Sequence, residues 1–233
     1  MQTIVWFLAI ELMGIIAFPI TFCLLPLLKD KGFSIAKPLL MAVLGLLSWL
    51  LSVTGLLAPN AFLLYLLFLF VGCLSACIVS KQLAPLWQFI KREWKILLAA
   101  ESIYLVVFVV FSLIRYFDPA IDHTEQPMDF AFLTSSMHAG TSGAPDPWMK
   151  GESISYYYFG YWVFGNLGNF TFSDPEIAYN LAMATIPALL SLTIFGLSLN
   201  LMPAKIKWFV PIVFAAFSAI MTVFLSNFHG VLS

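Results

Sequence analysis

The sequence predicts an all-α integral membrane protein: six transmembrane helices, with a long outer loop between the fourth and fifth that carries short interfacial helices. Three observations lead there. Of 233 residues, 61% are hydrophobic and only 10% charged, whereas a soluble domain is nearer half apolar and about a quarter charged. With a mean hydropathy of +0.95, a water-soluble globular protein is excluded. Apolar stretches near 3–27, 35–57, 60–79, 97–117, 177–200 and 208–226 are each long enough, at about 20 residues as a helix, to cross the bilayer core. Basic residues fall in alternate connections, as they do in cytoplasmic loops. The near balance of 11 Lys+Arg against 12 Asp+Glu leaves no cationic surplus for nucleic-acid phosphates, so the partner is the lipid bilayer and no nucleic acid is expected.

The first stretch opens MQTIVWFLAI, with no basic n-region and no small-residue cleavage site, and so reads as a retained span rather than a signal peptide. The 28–37 connection holds Lys29, Lys31 and Lys37; 80–96 holds Lys81, Lys91, Arg92 and Lys95; 201–207 holds Lys205 and Lys207. With those loops inside, both termini and the 118–176 segment lie outside the plasma membrane. That segment carries eight of the twelve acids, and His123, His138 and His229 fall on the same side, so any chemistry is extracytoplasmic. KQLAPLWQFIKREWK mixes Trp87, Phe89, Ile90 and Trp94 with Lys91, Arg92 and Lys95, the pattern of a helix lying in the cytoplasmic interface. Cys23, Cys73 and Cys77 sit in apolar runs and read as small packing residues, without disulfide or zinc spacing. Gly72 and Ala76 form a small-xxx-small pair suited to close helix approach.

Loops as long as 118–176 usually carry function or structure of their own. One helix is expected from Pro127 through MDFAFLTSSMH to a stop at Gly140. A second, aromatic helix is expected from about Ser153 through YYYFGYWVFGNLGNF, at the membrane surface, with the turn-rich AGTSGAPDPW between them. Several polar residues have structural explanations. Asp174, Pro175 and Glu176 form a helix start. Asp146, before Pro147, is a turn former or a site residue with equal reason. Asp129 falls at the third helical position, where a carboxylate is stabilising. Glu125 has no such excuse, and the two carboxylates, four residues apart, can point into one outer cavity. Glu11 lies mid-span, as part of a proton or ion path or as a protonated acid bonded to a neighbouring helix; Glu101 is near enough to the cytoplasmic edge to reach water. His123 and His138 lack metal-ligand spacing, and the Asn169-Phe170-Thr171 sequon is embedded in apolar sequence and is discounted.

Read in order, EQPMDFAFL, PDPWMKG and SYYYFGY resemble the signature of the YYY-motif family of multipass membrane proteins, best over 118–170. Two departures stand out: Ala144-Pro145 where a double proline is expected, and Ser155 where a polar residue such as Asn is expected before the tyrosines. That family is regarded as similar to GT-C glycosyltransferases, which take a sugar from a polyprenyl-phosphate carrier and attach it at the outer membrane face. The resemblance implies a GT-C-like module over 97–233, preceded by a three-helix region over 1–96, and an acidic motif at Glu125 and Asp129 just beyond a span. GT-C cores need more spans than follow the loop, which suggests a fragment or a shortened member.

In that chemistry an acceptor hydroxyl loses its proton as it attacks, and a positioned carboxylate takes it, a contribution of about 10²–10⁴-fold. Asp129 is the expected base. Glu125 would orient the acceptor, raise the proton affinity of Asp129 or help hold a divalent cation, the one cofactor left open. Arg115 and Lys150 are the outer bases available to a leaving phosphate. Tyr156, Tyr157, Tyr158 and Trp148 would offer faces and hydroxyls to the polyprenyl-phosphate sugar donor, or form an interface belt. Asp146 and His138 complete the substrate-binding set, and Asn227 and His229 could join from the last span. Two other functions compete: a transporter or lipid-carrier flippase, motivated by Glu11, and a non-catalytic assembly subunit.

Overall fold

The structure, a computed structural model, describes residues 1–203 and 209–225. Lys205, Lys207, Asn227 and His229 lie outside the described residues. The described chain forms α1 (Gln2–Leu24), α2 (Phe33–Val53), α3 (Ala61–Phe117), α4 (Gln126–Met137), α5 (Phe159–Thr171), α6 (Pro175–Leu201) and α7 (Phe209–Leu225). Four of these, α1, α2, α3 and α6, are long and apolar enough to cross a membrane, while α7 has 17 residues. Large apolar side chains such as Leu8, Leu12, Leu69, Phe70 and Val106 are exposed, a surface that water would not tolerate over such a continuous area and that lipid favours.

α3 covers the expected stretches 60–79, 80–96 and 97–117 as 57 residues in two limbs meeting at a kink: 60–79 is the first limb, whereas the expected interfacial helix 80–96 and span 97–117 are continuous in the second. At 1.5 Å per residue it is about 85 Å long. It bends at Gln82, whose φ −122, ψ 16 are non-helical; Pro85, three residues on, can neither bond back to the Lys81 carbonyl nor pack against it without a clash. Both ends of α3 therefore return to the same end of the bundle. Tyr65 donates to the Phe170 carbonyl at 2.7 Å, and Arg115 donates to Asn180 at 2.7 Å. The end that gathers α4 and α5 is called here the loop end.

α1 and the second limb of α3 run antiparallel, with Phe7 against Phe108 near one end and Phe18 against Phe89 near the other. α6 is central: Ala184, Thr185, Ala188 and Leu192 are fully buried, and Trp6 donates its indole N–H to Thr185 at 2.9 Å. One hydrophobic core runs continuously through α1, α2, α3, α6 and α7. Far from the loop end, Gly32 takes φ 76, where a Cβ would strike Thr21 and Leu25. Asp30 then accepts the Ser34 N–H and hydroxyl and the Asn200 amide, fastening the start of α2 to α6.

Several local expectations are corrected. α5 begins at Phe159, so Tyr156, Tyr157 and Tyr158 precede it in a non-helical connection that follows the 152–154 stretch paired with 144–146. Nor does α5 lie on the surface: Trp162 is fully buried and donates to Ser48 and Gly45 of α2. All three cysteines are exposed rather than packed. The Gly72–Ala76 pair does not bring another helix backbone into close approach; a Cβ on Gly72 would have near it the Ile16 side chain of α1, at 3.9 Å, and both residues line a cavity. α6 starts as expected at Pro175, although the Asp174 side chain makes no capping bond. Asn169 donates to the carbonyls of Met137 and Pro59, a structural tie between α4, α5 and the α2–α3 connection.

Candidate functional site

α4 leaves Glu125 at its N-cap and Asp129 one turn in, with the Asp129 N–H donating to the Glu125 carbonyl at 3.0 Å. Thr124 just before it takes φ 47, a left-handed conformation that costs a β-branched residue about 1–3 kcal/mol and often accompanies functional geometry. The Glu125 side chain makes no capping bond and is exposed; Asp129 is half-buried. Tyr161, in the first turn of α5, donates its hydroxyl to Asp129 in a short hydrogen bond. Burial first, and then that bond and the Asp129 charge, raise the Tyr161 phenol above its ordinary range.

An aromatic shelf adjoins the carboxylates. Phe132 is stacked on Tyr156 at 5.4 Å, meets Trp148 edge-on at 5.3 Å and touches Tyr161 at 5.6 Å. Tyr156 in turn stacks on Tyr157 at 3.9 Å and donates to its hydroxyl. That bond chiefly, with the charges of Glu125 and Asp129 as lesser causes, pushes the Tyr156 phenol upward. Both carboxylates thus lie within electrostatic reach of the same tyrosine. Tyr179 lies within electrostatic reach of both Asp129 and Arg115, is 3% exposed, and its hydroxyl has no hydrogen-bond partner. A buried unpaired hydroxyl between an acid and a guanidinium marks where a ligand atom or water can bond.

The other expected residues divide. Arg115 is near this cluster but spends Nε on Asn180 and a terminal nitrogen on the Ala120 carbonyl. Asp146 is a turn former, accepting the N–H groups of Trp148 and Met149 at 2.8 and 2.9 Å. Tyr158 faces the other way, accepting from the Trp49 indole at 2.8 Å and packing on Trp162. Lys150 is exposed at the hairpin tip. His138 bonds the Thr134 carbonyl at the far end of α4, nine residues or about 13 Å from Asp129, and lines a separate cavity of about 290 Å³. Among the described residues no three His, Cys, Asp or Glu side chains converge as a metal would need, so the carboxylates as placed offer too few donors to define a divalent-cation site.

Sequence reasoning missed Tyr161 and Tyr179, which only tertiary packing brings near Asp129, and Phe132, one turn along α4 from it. It also missed a second constellation. Lys37, counted as a loop residue, is buried in α2, with Nζ 2.7 Å from Glu11 and 2.6 Å from Glu101. Glu11 is thus bonded to the neighbouring helix α2, through a lysine, and Glu101 reaches the same Lys37 rather than only water. The available signal was that two acids within apolar spans require a partner, and Lys37 starts the next apolar stretch.

No curated protein matches the chain, and no solved structure does. Residues 43–233 match the family described as uncharacterized membrane protein (DUF2298), and with most of the chain covered, and its long apolar helices as described, the protein belongs to that family of multipass membrane proteins.

Proposed function

We propose that the protein is, or forms the N-terminal part of, a GT-C-type glycosyltransferase that moves a sugar from a polyprenyl-phosphate carrier to an acceptor at the extracytoplasmic face. The observation that carries the reading is Asp129, held by the Tyr161 hydroxyl at the loop end, beside Glu125 and an aromatic shelf. Among the described residues Asp129 has no cationic partner within ion-pairing distance, so its other oxygen is available to accept a proton from an attacking hydroxyl. Tyr161 fixes the carboxylate rotamer. Glu125 orients the acceptor, Arg115 and the Tyr179 hydroxyl face the departing phosphate, and Tyr156, Tyr157 and Trp148 offer ring faces to sugar or isoprenoid. No step is routed through a metal.

Topology supports the same reading. The two limbs of α3 act as separate crossings, which with α1, α2, α6 and α7 makes six, and the elbow residues Lys81, Lys91, Arg92 and Lys95 lie inside. The loop end is then outside, and the module over 97–233 packs against 1–96 through the shared core. Membranes containing the full-length protein, given labelled polyprenyl-phosphate sugars, should transfer label; Asp129→Asn should not, and absence of transfer by the intact protein would overturn the reading. The transporter alternative rests on Glu11 and predicts loss on Glu11→Gln with Glu125→Gln and Asp129→Asn tolerated. The intramembrane cavity that holds Glu11 displays carboxylates, however, a poor host for an anionic lipid carrier. An assembly subunit would tolerate all three changes.

A further inference from the structure

The largest apolar cavity described, about 680 Å³, lies between the two limbs of α3 and the α1–α2 pair. Its walls are mostly aliphatic and aromatic, including Ile15, Phe18, Phe33, Leu86 and Ile90. At one end stand Glu11, Lys37 and Glu101, and they are not equally accessible. The Lys37 side chain is 4% exposed, sandwiched between two carboxylates and lying 3.7 Å above the Tyr104 ring. Glu11 and Glu101 keep 22% and 31% exposure. A guest in the cavity therefore meets carboxylate oxygens rather than the ammonium.

Two further features show that this end is built. Gly14 leaves the only room for the lysine stem, since a Cβ there would sit 2.7 Å from Lys37 Cγ. The Tyr104 hydroxyl, on a residue with no exposed surface, has no hydrogen-bond partner, a deficit that buried polar groups rarely sustain without a water or ligand atom. The charge count points the same way. Two carboxylates share one ammonium, so when both are ionised the cluster carries one negative charge more than Lys37 cancels; inside the hydrocarbon region such charge is costly, and it is met by a proton or by a cationic guest. A guest bearing one positive charge brings the site to neutrality; an anionic head would add repulsion to the desolvation cost.

We infer that this cavity is a binding site for an amphiphilic amine, its protonated head hydrogen-bonded to Glu11 and Glu101 and its apolar body lying along Phe18, Leu86 and Ile90. Lys37, seated on the Tyr104 ring, holds the two carboxylates at a fixed spacing. The Gly72–Ala76 face of α3, which brings no other helix backbone into close approach, forms the opposite wall. This inference is independent of sugar transfer at the loop end, and the two can fail separately.

The test uses the full chain in phosphatidylcholine nanodiscs with a photoactivatable long-chain alkylamine, and mass spectrometry to map the labelled residues. Saturable labelling is expected on Ile15, Leu86 and Ile90, displaced by dodecylamine and not by dodecyl phosphate. Displacement by phosphatidylethanolamine added to the disc would identify a lipid as the natural amine source; displacement by free amine alone would identify a non-lipid amphiphile. Glu11→Gln with Glu101→Gln should weaken labelling about tenfold or more, the worth of a charge-assisted hydrogen bond. Ala76→Trp, which leaves the charged triad intact and fills the cavity, should abolish it. Uniform labelling of lipid-facing helices, equal displacement by the phosphate, or a cavity found filled by another protein's helix would overturn the inference.

Discussion

The loop-end carboxylates and the intramembrane carboxylates are arranged on opposite principles. Asp129 is fastened by a neutral phenol, so its charge is positioned without being cancelled. Glu11 and Glu101 are fastened by one cation shared between them, so part of their charge is spent on holding three helices together. The first arrangement preserves basicity for a reacting proton. The second trades it for structure, because a buried charge without its partner is expensive. Acidic residues in one chain can thus be sorted into reactive and architectural by the kind of group that donates to them.

That contrast can be broken by substitution. The largest expected effect is catalytic: Asp129→Asn should lower sugar transfer by about 10²–10⁴-fold while moving the unfolding midpoint little, and a matching loss of stability would erase the distinction. Lys37→Met should do the reverse, destabilising the protein by about 3–5 kcal/mol, read as a fall in the thermal midpoint in detergent. The triple change Glu11→Gln, Lys37→Met, Glu101→Gln should recover much of that loss. Gly14→Ala should cost about 1–3 kcal/mol through overpacking against the lysine stem, without touching any charged atom.

The smallest effect concerns Tyr161→Phe, expected to cost about 0.5–1.5 kcal/mol and to sharpen the comparison by pH. Because the fold raises the Tyr161 phenol, chiefly by burial and then through Asp129, the stabilisation is fully present below about pH 10, the ordinary tyrosine value. It fades as pH rises through the raised folded value. Wild-type protein should therefore lose its advantage over Tyr161→Phe only on the alkaline side; a gap that widened instead would show the hydrogen bond to be misassigned.

Helical membrane character was readable because it depends on composition and run length, which no tertiary contact can override. The start of α4 near Pro127 and of α6 at Pro175 followed from local backbone chemistry. The continuity of α3 was not readable: KQLAPLWQFIKREWK is amphipathic either as a separate interfacial helix or as the elbow of a longer one, and Pro85 is compatible with both. Trp162 was misjudged because aromatic residues at a membrane surface and in a buried seam have the same composition; only Ser48 and Gly45, more than a hundred residues away, decide between them. The three tyrosines of the YYY run could not be told apart in sequence, yet Tyr158 faces α2, Tyr156 stacks on Phe132 beside the acids, and Tyr157 is exposed. Glu125 and Asp129 were legible as a pair by their spacing, while the donor that holds Asp129 was not.

The sharing of Lys37 also bears on how the chain can be made. Glu11 and Lys37 are 26 residues apart, so the α1–α2 hairpin emerges from synthesis already carrying its own counter-charge and can enter the bilayer as an electrically neutral unit. Glu101 arrives much later and bonds to a lysine that Glu11 already holds in place. Biogenesis is thereby ordered: the first two helices form the berth, and the second limb of α3 docks into it.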